Sequence, residues 1–330
     1  MRNEAKWLPG YFESIHSLNL PVIIVDTGST DESVTIAKKH GARVIEVGER
    51  FDWTYSKENA DRVNQSLDLL LVQEGDRGFY FDQARAYADT WVKTPWALWL
   101  DIVDRCSGQL PPLDSSRNYT CDTNWNGYRF STLRLYQPAH CKWQTPVHEC
   151  LISDLVSEPI STFSIKRARS KGHAYDGMLA YFAIIESNPS ARILYYFAQS
   201  LMDQKHFTQS RDAFVKAIQH PDLGINYQSH SMVYLGELSN DRQECRKWYL
   251  RAAWVFPAWR TPWIALAQWC MIDDDWVGAL GYCNHALKIK PQSIIPEPID
   301  YYTTVPQRIQ ASATSQGIGI YKNARLEYPN

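Results

Sequence analysis

The sequence predicts an α/β domain with a mostly parallel, Rossmann-like sheet, followed by an all-α domain of helical repeats. Three observations carry that expectation. A strand–helix–strand pattern fills residues 21–47, two apolar runs end on aspartate at Asp26 and Asp101, and a small-residue pattern returns every 34 or 35 positions from about residue 190. The 330 residues suit two domains of roughly 150 residues each. Hydrophobic residues make up 45% and net charge is only −2, which excludes a disordered chain and a surface that is basic all round. A local basic patch stays open. The 13 Trp, 19 Tyr and 11 Phe supply a large core, and such rings also line sugar and base sites.

Residues 21–26 are a short apolar run closing on a carboxylate, the mark of a buried strand. Residues 27–32 follow as a turn, then a helical stretch runs through Lys39, with Ser29 and Glu32 spaced as a capping box. Gly41 closes that helix and residues 42–47 read as the next strand, giving a βαβ unit with a parallel connection. A third buried strand is expected at 96–100, ending at Asp101, behind a helix from about Asp82 to Val92. Ligands of open α/β sheets bind beyond the carboxyl ends of the strands. Asp26 and Asp101 therefore either mark a polar or metal-bearing site or are solvated turn residues. Residues 49–80 read as an inserted helix and loop, a lid or an acceptor-binding element. Residues 107–127 read as loop, and 128–136 alternates like antiparallel strands.

Seven cysteines, an odd number with no Cys-x-x-Cys, point to a reducing compartment rather than a disulfide framework. His140-Cys141 and His148-Glu149-Cys150 match no common zinc spacing. The first residues carry charges where a signal peptide would be apolar, and no apolar run approaches the roughly 18 residues of a membrane span. A cytoplasmic protein without a membrane partner is expected.

The second half changes period. Ala217, Ala252 and Ala286 are followed by Pro221, Pro257 and Pro291. Ser210, Cys245 and Ala279 stand seven positions before each Ala, and Phe214, Tyr249 and Cys283 three before. Ala198 and Ala267 hold a small-residue place one helix upstream, where two helices can approach closely; the middle copy lacks it. This pattern resembles the tetratricopeptide repeat, in three degenerate copies over about 191–291. Residues 292–330 then supply Pro296, Pro298 and a capping helix around 305–325.

The first half carries a second resemblance. Arg2-Asn3-Glu4, Ile24-Val25-Asp26-Thr27-Gly28-Ser29-Thr30-Asp31, Phe81-Asp82-Gln83-Ala84-Arg85 and Trp99-Leu100-Asp101-Ile102-Val103-Asp104 occur in that order. The series resembles the family 2 glycosyltransferases of the GT-A fold, and more narrowly a bacterial and phage branch with tetratricopeptide repeats behind the catalytic domain. Trp143 with Val147-His148-Glu149, and the segment 172–177, also resemble that branch. The implied organisation is a GT-A domain over 1–185, repeats over 186–295 and a capping segment over 296–330.

The resemblance implies a hexosyltransferase that uses a nucleotide-diphosphate sugar, UDP-linked, with inversion. Asp26 then lies at the uracil or ribose end of the donor site, in company with Asn3, Glu4, Gly28, Ser29 and Asp31. Arg85 contacts the base or a phosphate. Asp101 is the first acid of the Asp-x-Asp motif, which holds Mn²⁺ or Mg²⁺ against the diphosphate, and His173 completes the metal shell. Glu149 is the general base, with His148 its rival. Trp143, Lys166, Arg167 and Arg169 line the acceptor side; the run 166–171 is otherwise a solvated basic face. Two departures stand out. The family has a full strand before Arg-Asn-Glu, whereas here Met1 immediately precedes it, and Val103 replaces the second motif acid, leaving Asp104 as its substitute.

The acceptor is expected to be a protein or peptide, a glycan, or a hydroxymethylated base in phage DNA, the last in a host cytoplasm and requiring access to the base. The repeats are expected to position that acceptor or to form a homodimer. The competing expectation is a catalytically degenerate GT-A protein that acts as a repeat-mediated scaffold. A nucleotide enzyme of another type is disfavoured, because no Gly-x-Gly-x-x-Gly or Walker lysine loop occurs.

Overall fold

The computed structural model describes residues 1–125, 128–167, 175–290 and 297–315. The chain divides into two compact units, one drawn from 1–126 and 131–200, the other from 127–130 and 201–330.

The first unit opens with α1 (Leu8–Ile15), β1 (Ile23–Asp26), α2 (Ser33–Lys39) and β2 (Arg43–Glu46). β1 and β2 pair in parallel, with Ile23 opposite Arg43 and Asp26 opposite Glu46. Leu8, Tyr11 and Phe12 of α1 bury against Ile24, Ala37 and Ala42, so the βαβ unit closes on an apolar face as the sequence pattern requires. Gly41 ends α2 at φ +79°, a conformation that suits glycine. The capping box does not form. α2 starts at Ser33 with no side-chain cap, because the Ser29 hydroxyl is committed to Asp26 instead.

Next come β3 (Asp52–Thr54), α3 (Lys57–Leu67), β4 (Arg77–Phe79), α4 (Phe81–Asp89) and β5 (Ala97–Leu98). The inserted segment is thus a hairpin, β3 antiparallel to β4, around a helix that Ser56 caps through the Asn59 amide. β6 (Asp104–Gly108), β7 (Arg117–Trp125), β8 (Tyr128–Tyr136), β9 (Cys141–Gln144), β10 (Cys150–Ser153) and β11 (Val156–Arg167) follow, and α5 (Asp176–Ile184) comes next. Within this unit the larger sheet runs β8-β7-β11-β6, and β9 and β10 form an antiparallel pair.

The expected mostly parallel sheet is corrected here: the described strands form mixed sheets. β7 and β11 are parallel, but β11 pairs antiparallel with β6, and β5 antiparallel with β8. The run 96–100 yields only two strand residues, because the chain turns at once into a tight loop in which the Asp104 amide bonds the Asp101 carbonyl at 2.9 Å. β7 was expected as loop. Polar residues are fully buried on both of its faces, Asn118 on one and Thr123 on the other, which hides the apolar alternation of a strand. Asn118 is satisfied by Ser153 Oγ at 2.7 Å and the Gln137 amide at 3.0 Å.

α6 (Ala191–Asp203) leads into α7 (Phe207–Gln219), α8 (Ile225–Glu237), α9 (Arg242–Val255), α10 (Arg260–Ile272) and α11 (Trp276–Lys288). Each of these helices has 13 or 14 residues. Ser210, Phe214, Ala217, Cys245, Tyr249, Ala252, Ala279, Cys283 and Ala286 are all buried, so the repeating small and aromatic positions do form the packed faces. In α8 the close approach comes at Gly236, where a Cβ would lie 2.9 Å from the Tyr249 ring. β12 (Glu297–Pro298) and α12 (Thr304–Ser315) complete the second unit. Among the described residues no helix is long and apolar enough to cross a membrane.

Candidate functional site

The segment 1–5 lies along the loop after β1. The Met1 amine donates to the Val25 carbonyl at 2.8 Å, and the Thr27 amide returns to Met1 at 2.9 Å. Asp26 is buried, and its carboxylate accepts from the Gly28 and Ser29 amides and from the Ser29 hydroxyl. The Asn3 amide reaches Ser29 Oγ, its side-chain oxygen accepts from the Thr30 amide at 2.8 Å, and Asp31 accepts from the Ala5 and Ser33 amides. These bonds hold Asp31 below the usual carboxylate range, the Ser33 contact foremost. The Glu4 amide bonds Ser33 Oγ at 2.7 Å while its carbonyl starts α1. Asn3, Glu4, Asp26, Gly28, Ser29 and Asp31 thus come together, as a loop braced by its own side chains.

α4, which packs beside β1, carries Arg85. The loop 99–104 settles on the same core through Leu100 and Ile102. Between them lies an alternating chain of charge. Arg85 donates from Nε to Glu149 at 2.7 Å and from Nη2 to Asp101 at 2.8 Å. Arg167, at the end of β11, donates from Nη2 to the other Asp101 oxygen at 2.6 Å and from Nε to Asp104 at 3.1 Å. Arg134 on β8 reaches the second Asp104 oxygen at 3.3 Å, and the Asp101 amide shares that oxygen at 3.0 Å. Three guanidiniums against three carboxylates leave the chain formally neutral. Both Arg85 and Arg134 lie over the Trp99 ring, at 4.4 and 3.6 Å, and Arg85 also lies 5.2 Å from Trp143.

Burial opposes a charge on Arg85, but Glu149 and Asp101 outweigh it and raise its pKa. Burial likewise works against Arg167, and Asp101 and Asp104 reverse the sign. For the deeper Arg134 burial prevails and lowers the pKa, although an arginine stays charged at any accessible pH. Asp104 has no exposed surface, and Arg134 and Arg167 hold it as a buried anchor. Asp101 and Glu149 keep 13% of their side-chain surface and Arg85 and Arg167 keep 19%, which puts these four at the open edge.

His148 does not reach this chain through a described hydrogen bond. Its ring stacks on Tyr196 at 4.0 Å, and its backbone sits at φ 52°, with its carbonyl held by Arg192 at 2.9 Å. Trp143 donates from its indole to Asp89 at 2.9 Å, and burial raises Asp89 above its ordinary pKa. Lys166 is exposed, whereas Arg167 belongs to the charged chain. Arg169 and His173 fall outside the described residues. Trp99 and Arg134 were missed as site residues; an arginine in an alternating strand reads as outward-facing.

Among the described residues the donors do not fit a divalent metal, and His173, expected in the metal shell, lies outside them. Both oxygens of Asp101 and both of Asp104 already accept from arginine, and among the described residues no group of three His, Cys, Asp or Glu is placed to hold an ion. A shallow open concavity elsewhere, lined by Lys57, Glu58, Asp61, Arg62 and Gln65 of α3, contains none of the expected site residues.

Similar folds include the tetratricopeptide domain of Sgt2 from Aspergillus fumigatus, at TM-score 0.33 and 13% identity over 43% of this chain and 90% of that one. They also include MamA, at TM-score 0.31 and 13% identity over 44% of this chain and 91% of that one. No curated protein matches the sequence. The family model for glycosyl transferase family 2 matches residues 1–60, the stretch that holds the βαβ unit and the braced Asp26 loop, and so suggests glycosyl transfer at the level of the family.

Proposed function

We propose that the protein is a glycosyltransferase that moves a sugar from a nucleoside-diphosphate donor, UDP-linked, to an acceptor hydroxyl with inversion. The observation that carries this reading is the coincidence of the family 2 match over residues 1–60 with the Asp26 loop, braced by Asn3, Ser29 and Asp31. The charged edge formed by Arg85, Asp101, Glu149 and Arg167 supports it, since diphosphate departure needs positive charge and attack needs a base. In the step itself the acceptor oxygen bonds to the anomeric carbon, the bond from that carbon to the phosphate oxygen breaks, and its electron pair leaves on the diphosphate. The acceptor proton passes to Glu149, one of whose oxygens is already oriented by Arg85. The acceptor is a protein, a glycan or a modified DNA base, and the helical repeats position it.

The test is a screen of UDP-, GDP- and dTDP-sugars for binding and slow donor hydrolysis. One donor should bind and turn over, and Glu149→Gln should lower turnover by about 10²–10⁴-fold while leaving binding intact. Failure of every donor to bind removes the transferase reading. A second reading, a scaffold without chemistry, is favoured by one observation: Glu149 and Asp101 are both tied to Arg85. Donor binding without any hydrolysis or transfer, unchanged in Glu149→Gln, selects it.

A further inference from the structure

Resting on the nucleotide-sugar reading above, we propose that this protein binds the donor diphosphate through Arg85 and Arg167 and without a divalent cation, Arg167 standing where the cation would. The geometry is specific. One guanidinium bridges the two acids of the motif, with Nη2 on Asp101 and Nε on Asp104 at 2.6 and 3.1 Å. The remaining oxygen of Asp101 takes Arg85, and that of Asp104 takes Arg134 and the Asp101 amide. A hard cation needs such oxygens at about 2.0–2.6 Å, and to reach them it would have to expel a guanidinium that already neutralises them.

The same geometry leaves donors for an anion. Guanidinium carries five N–H groups. Arg85 uses Nε and Nη2, and Arg167 uses Nε and Nη2, so each keeps Nη1 without a hydrogen bond among the described residues. Both side chains are partly exposed, both flank Asp101, and each feels the other's charge. A diphosphate brings planar arrays of oxygens that arginine recognises in pairs. Trp99 and Trp143 hold Arg85 in place, so little order is lost on binding. The acids of the motif thereby become positioning groups for arginines.

The experiment titrates the full chain with UDP, GDP, dTDP and the matching nucleosides by calorimetry, in EDTA and then with Mn²⁺. The expected result is that one diphosphate binds in EDTA at least about tenfold tighter than its nucleoside, with less than about a twofold gain from Mn²⁺. Arg85→Lys and Arg167→Lys should each shrink that advantage while nucleoside affinity holds, because lysine keeps the charge but not the paired donors; Arg167→Lys should also lower the thermal midpoint, since the buried Asp104 loses one of its guanidiniums. Diphosphate binding that appears only with Mn²⁺ overturns the proposal and leaves the transferase reading standing. An undiminished advantage in both folded lysine variants also overturns it. No binding of any nucleotide in either condition removes both. If the variants do not fold, the comparison of EDTA with Mn²⁺ on the unaltered chain still decides the point.

Discussion

Asp104, the substitute for the second acid of the motif, is tied into the fold on both sides. It is fully buried and joins Arg134 to Arg167, and Arg134 keeps only 2% of its side-chain surface. Removing the carboxylate strands a buried guanidinium, a change of about 3–5 kcal/mol. Asp104→Ala is therefore expected to shift urea unfolding by that order, whereas Asp101→Asn, less deeply buried and with an amide oxygen still able to accept, shifts it less. Equal effects would contradict the buried-anchor assignment. The family resemblance singles out Arg85, Asp101 and Glu149, and the fold gathers them into one network. Arg134 was not legible in the sequence, because its partners come from distant positions, Trp99 and Asp104.

At the level of elements, apolar strands were readable and polar ones were not. Residues 21–26 announce β1 by composition, while β7 buries the polar Asn118 and Thr123, and Asn118 takes its partners from other elements. The repeats were legible because small residues recur at fixed spacing, yet the approach at Gly236 escaped the pattern, since it lies one helical turn beyond the expected place. Helix ends follow the same logic. Asp241 and Asp275 cap α9 and α11 from adjacent sequence, but α10 is capped by Glu297, from 36 residues away. Glu297 accepts from the Arg260 and Thr261 amides, and Arg260 in turn donates to the Ala286 and Ile289 carbonyls that end α11. Glu297→Ala leaves those buried amides without their acceptor and is expected to cost about 1–3 kcal/mol of helical-unit stability, read as the loss of helical ellipticity on heating. In the hairpin of the first unit, Gly78→Ala would place a Cβ 1.9 Å from the Trp53 ring, and quenching or shift of tryptophan fluorescence should report the displaced indole.

Over the whole molecule, the second unit carries a titration that ties packing to pH. His230 stacks on Tyr234 at 4.6 Å and meets the Trp259 edge at 5.1 Å, and burial pulls its pKa from 6.5 down to about 3. The folded state thus holds the ring neutral, while the unfolded chain takes up a proton first. Stability from this group is complete above pH 6.5 and falls as pH drops from 6.5 towards 3, with a slope of at most about 1.4 kcal/mol per pH unit. Carboxylates titrate over part of the same range, so the total acid response does not isolate the histidine. A comparison does. His230→Phe keeps an aromatic ring against Tyr234 and Trp259 and has no proton to gain. Urea midpoints of both proteins, followed by helical ellipticity, should run together above pH 7 apart from a constant offset and then separate, the natural chain losing stability faster below pH 6. Parallel curves down to pH 4 would mean that the ring accepts its proton in place, and that the packing around α8 and α10 tolerates a charge its geometry argues against.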